Sequence, residues 1–372
     1  MLAIATGATA SAQEDPAFRQ WMDRMREEHR LPLPDWKPVS NAVTPKTDLA
    51  RSKYPAIDIH SHLIKAQDPA EVAKVIKVMD AANVQTVVHL TGGFGEELRK
   101  TVHSLSAHPN RFIVCMTPEW RQINAPDFTQ RTLKQLEDAK RDGAGCLKIT
   151  KVLGLYLKDS SGKFIPVNDP RMDPVWEKCG ELGFPVLIHT ADPIAFFRPW
   201  DEKNEAYSVL SRQPDWWFYG PDYAGAPRFT HAELMQQRDD IVARHPRTKF
   251  VALHYASLSH DLGAVAAFLD RFPNAVVEMG ARNWALGTAP NSGRKFAIKY
   301  QDRILFGTDG NVLDPAMYKL YFRTLETDDD FIATVLPRPW GPLYGVHLPD
   351  TVLRKIYRDN ALALFNKNAK SK

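Results

Sequence analysis

The stretch IDIHSH, residues 57–62, follows a Tyr-Pro pair and opens an apolar run. Two imidazoles two apart at the far end of such a run are poor core fillers. Strand side chains alternate between faces, so His60 and His62 are expected to share one face with Asp58 below them. Ile57, Ile59 and Ser61 are then expected to face the other way, towards helices. A strand that ends like this presents its histidines to something.

Seven more short runs rich in Val, Ile and Phe follow, at 84–91, 111–118, 143–150, 184–190, 248–256, 274–281 and 304–310. Stretches with helical periodicity lie between them, among them 69–82, 129–141, 171–182, 231–245 and 261–272. Turn signals such as AANV (81–84) and HPNR (108–111) precede the strands. Eight strand–helix units predict an α/β fold, a (β/α)8 TIM barrel over 56–372. A doubly wound open sheet also alternates, but no Gly-rich phosphate turn follows the first run here. Residues 13–55 read as an N-terminal arm packed on the barrel, helical until the proline-rich LPLPDWKP (31–38). Residues 191–229 form a long aromatic insertion after strand 5.

A barrel carries its active site at the C-terminal ends of its strands. The polar residues closing the runs are His60 and His62, His89, Glu119, Lys148, His189, His254, Arg282 and Asp309, in strand order. The strand starts are plain by comparison. His60 and His62, with His189 approaching across the barrel and Asp309 adding a carboxylate, offer three nitrogens and an oxygen. That set suits Zn²⁺ or another divalent ion such as Mn²⁺ or Fe²⁺, with a position left for water.

The segments IDIHSH, VLIHTADP (186–193), VALHYAS (251–257) and FGTDG (306–310) resemble the metal motifs of the amidohydrolase superfamily. The nearer likeness is to its amidohydrolase-related branch, which includes aminocarboxymuconate-semialdehyde and hydroxybenzoate-type decarboxylases. KIYRDNALALF (355–365) is similar to that branch's C-terminal helix, and the resemblance covers roughly 55–366. It implies that His60, His62 and His189 are metal ligands. Asp309 would be a ligand that also handles the proton of the attacking water. His254 would polarise substrate or move protons beside one ion, or bind a second ion where there are two. Some two-metal members carry a carboxylated lysine at the end of strand 4, where Lys148 and Lys151 lie. The residues themselves favour another reading, in which one of these lysines binds a substrate anion or pairs with Glu119. The chain departs from the best-known decarboxylases in its N-terminus and in the 191–229 insertion.

The chemistry expected is hydrolysis of a small amide, ester or lactone, with Asp309 as base and His254 stabilising an oxyanion. The alternative is non-oxidative decarboxylation of an aromatic or unsaturated acid. Arg282 would hold a substrate carboxylate or make a rim ion pair. His89 would touch substrate or be a satisfied core group. His260 and Asp261 read as a helix start. His29, His103, His108, His231, His245 and His347 are expected on the surface.

A composition of 44% hydrophobic and 25% charged residues supports a sizeable core. The formal net charge is only +4, and no Lys/Arg run tracks phosphates, which argues against nucleic acid. No apolar stretch reaches the roughly 18–20 residues of a membrane span. The expected partner is a small-molecule substrate, and a homo-oligomer stays open. Residues 1–12 read as the remnant of a signal peptide, because Ala10-Ser11-Ala12 fits a small-x-small cleavage site and polarity changes sharply at Gln13. Export to a bacterial periplasm is the expectation. Cys115, Cys146 and Cys179 are too few for a disulfide framework and read as buried thiols.

Overall fold

The computed structural model describes residues 16–32, 35, 41–63, 65–333 and 342–365. The expected signal-peptide remnant lies outside them. By its contacts the chain divides into Met1–Thr44 and Pro45–Lys372. In the first unit, helix α1 (Pro16–Glu28) buries no side chain. Phe18 and Trp21 pack against each other at a ring distance of 5.7 Å.

The second unit is the barrel. Its strands are β1 (Ala56–Ser61), β2 (Val84–His89), β3 (Phe112–Met116), β4 (Cys146–Ile149), β5 (Val186–Ile188), β6 (Phe250–Ala252), β7 (Ala275–Glu278) and β8 (Ile304–Leu305). They pair in parallel in sequence order. The sheet closes through Ile59 N–H to Phe306 O, Asp309 N–H to His60 O and His62 N–H to Gly310 O. The outer layer includes α2 (Pro69–Ala82), α3 (Gly95–Ser106), α4 (Phe128–Arg141), α5 (Asp173–Leu182), α6 (His231–Arg244), α7 (Leu262–Arg271), α8 (Pro290–Lys299) and α9 (Pro315–Glu326). Side chains of Asp68, Thr230, Asp261 and Asp314 cap the N-termini of α2, α6, α7 and α9. His260-Asp261 is thus the helix start the sequence predicts. No helix among the described residues is long and apolar enough to cross a membrane.

Two apolar clusters form the core. The larger joins the outward strand faces to the helices. The smaller takes residues from seven strands, with Val276 of β7 against it, and only the barrel lumen can collect all eight. Ala361 and Leu364 of the C-terminal helical segment belong to it.

Ile57 and Ile59 lie in this lumen cluster, which corrects the expectation that they face helices. Asp58 turns outward instead, where Thr308 Oγ1 and Tyr318 OH of α9 donate to its carboxylate at 2.6 and 2.9 Å. The cause is a register shift between Asp58 and Ser61 in β1. A bulge breaks the two-residue alternation and turns His60 inward directly after Ile59.

Two of the cysteines are not free thiols. Cys115 and Cys146 are register partners on β3 and β4, both fully buried, and they are joined by a disulfide. Cys179 on α5 stays a buried thiol, its pKa pushed up by burial. His231 and His245 are also buried rather than on the surface. His231 Nε2 donates to Ser257 O, and His245 Nε2 meets Asp173 at 3.0 Å. Both belong to the inward face of α6 and its C-cap.

Candidate metal centre

The C-terminal rim carries a cavity of about 480 Å³. Of the residues singled out in the sequence, His60, His62, Lys148, His189, His254, Arg282 and Asp309 line it. His89 does not. It lines a separate cavity with Lys65, Asp68 and Glu97, and its Nδ1 accepts from Leu63 N–H at 3.1 Å. Burial first, then His62, lowers its pKa to about 4.

Three residues converge closely. Ligand atoms of His60, His254 and Asp309 all lie within 4.8 Å of one another. His60 Nδ1 faces Glu278 Oε1 at 2.9 Å, so it carries the proton and leaves Nε2 free to accept. That Nε2 lies 2.9 Å from Asp309 Oδ1, a second acceptor. His62 Nε2 meets the same oxygen at 3.2 Å. His254 Nδ1 donates to Gly280 O at 2.7 Å, and its buried Nε2 has no hydrogen-bond partner among the described residues.

Lone pairs that point at one another need a cation or a proton between them. The donor set, with one carboxylate and imidazole nitrogens whose tautomers other groups hold, fits a divalent metal ion. Burial opposes the His60 imidazolium, but Glu278 and Asp309 outweigh it and raise its pKa to about 8. Burial likewise opposes ionisation of Asp309, yet His60, His62 and His254 hold its carboxyl far below the usual range. Burial, with His189 and Arg282 adding to it, drives the pKa of His254 well down. As a neutral imidazole with its proton on Nδ1, His254 accepts rather than donates at Nε2.

His189 sits at the edge of this cluster. Its ring lies 4.3 Å from that of His254, and its buried Nε2, 3.5 Å from Asp192 Oδ1, likewise has no hydrogen-bond partner among the described residues. Burial outweighs Asp192 and lowers its pKa to about 4. Lys151 pairs with Asp192 Oδ2 at 2.6 Å and lies over the Trp216 ring at 4.4 Å. Glu119, a possible lysine partner by sequence, instead meets Gln135. Lys148 is 2% exposed, and burial lowers its pKa to about 8 against the pull of Asp309 and Glu278. Arg282 Nη1 donates to the neighbouring Ala281 carbonyl at 2.9 Å. The aromatic insertion supplies one wall through Phe196 and Trp216.

Glu278 is the residue the sequence reading missed. Fully buried on β7, it accepts from His60 Nδ1, from His254 N–H at 2.9 Å and from Gly280 N–H. Two glycines leave it room. A Cβ on Gly280 would stand 2.7 Å from Glu278 Oε2 and 2.9 Å from His60 Nδ1, and one on Gly307 would stand 2.5 Å from the same Oε2.

The rim backbone is strained. Of eleven non-glycine residues with positive φ among the described residues, six are at or next to the cluster: His254, Tyr255, Ala256, Ser257, Ala281 and Asp309. Each left-handed residue costs about 1–2 kcal/mol. Strain of this kind gathers where a site must hold an awkward geometry.

An amidohydrolase family model matches residues 57–367. No match is found among curated proteins. Among solved structures, an uncharacterized TIM-barrel protein from Bordetella bronchiseptica is similar at 15% identity, with 84% of this chain and 98% of that one covered and a TM-score of 0.51. A 2,6-dihydroxybenzoate decarboxylase from Rhizobium aligns at 15% identity over 84% and 99%, TM-score 0.49. A dihydroorotase from Campylobacter jejuni aligns at 14% over 90% and 88%, TM-score 0.49. At 15% identity the likeness to the Bordetella protein bears on the fold alone. The family match runs from β1 through the C-terminal helical segment, and the chain accordingly belongs to the amidohydrolase family.

Proposed function

We propose that this protein is a metal-dependent hydrolase of a small organic substrate: an amide, ester or lactone. The observation that carries the reading is the convergence of His60, His254 and Asp309 on one point of a rim cavity, with the Nε2 of His254 left without a partner. These three would hold the ion, with His62 beside Asp309. A divalent ion there supplies a polarised carbonyl and a water that ionises near neutral pH.

The chain's own groups do the rest. Asp309 accepts a proton from the attacking water and passes it to the leaving group. Glu278 keeps the His60 proton on Nδ1, and Gly280 does the same for His254, so both Nε2 atoms stay available as acceptors. Phe196 and Trp216 give the substrate an apolar wall and exclude water. Lys148 and Arg282 offer positive charge to an anionic group on the substrate or on the intermediate. The Cys115–Cys146 bridge suits a compartment outside the reducing cytosol, which supports the periplasmic expectation.

The test is a screen of the metal-loaded chain on amides, esters, lactones and aromatic acids, following both product acid and CO₂. Hydrolysis without CO₂ supports the reading. CO₂ from an aromatic acid, with no hydrolytic turnover, overturns it in favour of a decarboxylase.

A further inference from the structure

We infer that Arg238 is a positioning residue for His254 and acts through the left-handed turn 254–257; the importance of His254 rests on the function proposed above. The turn is unusual in itself. His254, Tyr255, Ala256 and Ser257 are four consecutive non-glycine residues with φ between 53° and 58°. Nothing in the sequence His-Tyr-Ala-Ser favours that conformation, so its surroundings must hold it.

The backbone bonds say where the holding comes from. The carbonyls of Leu253, His254 and Tyr255 are taken by the N–H groups of Ser257 and Leu258. Those of Ala256 and Ser257 are taken by side chains of α6. Arg238 Nη1 donates to Ala256 O, and His231 Nε2 donates to Ser257 O at 3.1 Å. Residues 231 and 238 are seven apart, on one face of the helix. On the lumen side Glu278 accepts from His254 N–H. The turn is therefore gripped from both sides, and His254 points where the grip sends it.

Arg238 is a costly choice for this place. Its side chain is 2% exposed, paired with Asp239 at 2.6 Å and laid over the Phe268 ring at 4.4 Å. A leucine or methionine would fill the same gap between α6 and α7 without burying a charge. What such a residue lacks is a donor for Ala256 O. Besides Asp239 and the Met235 sulfur, the guanidinium reaches that carbonyl, and the carbonyl belongs to the turn that aims His254.

The experiment uses the full chain with Arg238→Met, Arg238→Lys and, as a control for general loosening, Val265→Ala in the buried face of α7. Amide hydrogen exchange at 254–257 is followed in the metal-free protein, and Zn²⁺ affinity is measured by calorimetry. The expected result for Arg238→Met is local exchange faster by roughly tenfold or more and Zn²⁺ affinity lower by about 10-fold, the size of effect seen when a group behind a ligand is lost. Arg238→Lys, which keeps a donor, should fall between Met and wild type, and serves if the Met variant does not fold. Val265→Ala should change neither. Wild-type exchange at 254–257 in a folded Arg238 variant overturns the inference, as does an increase shared equally by Val265→Ala. Faster local exchange with unchanged Zn²⁺ affinity upholds the clamp and counts instead against His254 as a ligand.

Discussion

Glu278 and His60 meet at 2.9 Å, carboxylate Oε1 to imidazole Nδ1, with both side chains buried. This contact decides which nitrogen of His60 is free. Replacing Glu278 with Gln keeps the shape but weakens the acceptor and offers a competing donor. Zn²⁺ affinity should fall by about 10–100-fold, the usual cost of removing the partner of a ligating histidine. Titration of the metal-free variant by calorimetry checks it. Affinity at the wild-type level would mean that His60 is held by other groups.

Asp309 is asked both to touch the ion and to carry a proton. Asp309→Asn cannot accept the proton but keeps the shape. Turnover should drop by roughly 10²–10⁴-fold, typical of a lost general base. Much of the metal should stay. Near-normal turnover of a hydrolysed substrate would move the proton-handling role to another residue.

Much of this was legible in the sequence, and the exceptions have physical causes. Helix α2 lies where the periodicity put it, and each of the eight apolar runs contains a strand. Run ends are visible because polar residues interrupt β-rich stretches. The inward turn of His60 comes from a bulge rather than from plain alternation. No count along one strand can reveal a register shift against its neighbour. The Cys115–Cys146 pairing was hidden in the same way, since it depends on how β3 and β4 align. Glu278 looked like a lone polar residue in VVEMG, and its partners lie far away in sequence. His231 was readable, however: it shares the α6 repeat of Leu234, Met235, Arg238, Ile241 and Val242, all buried.

The bridge makes a simple chemical prediction. Alkylation of the unfolded, unreduced protein should modify one cysteine, Cys179, and reduction should expose the other two. Intact-mass spectrometry reads the count directly. Three modified cysteines without reductant would show that the lumen pair is not bridged in the isolated protein.

Acid should weaken the fold through its buried neutral histidines. Burial lowers the pKa of His231 from 6.5 to about 4. The unfolded chain therefore takes up a proton near pH 6.5 that the folded one refuses until about pH 4. Stability contributed by this group is complete above pH 6.5, declines as the pH falls, and levels off below pH 4. The full loss is about 3 kcal/mol at 1.36 kcal/mol per pH unit. His231→Asn should flatten that part of the curve in denaturant titrations run from pH 7 to pH 4. An unchanged pH slope would contradict it.

The central claim is that His60, His254 and Asp309 hold a divalent ion. Elemental analysis of the purified protein, grown with Zn²⁺, Mn²⁺ and Fe²⁺ supplied, tests it most directly when wild type is run beside His60→Ala and His254→Ala. The account predicts at least one divalent ion per wild-type chain and a clear loss in both variants, with each still folded by circular dichroism. A wild-type chain with no bound metal, or folded variants with the full wild-type complement, would contradict it.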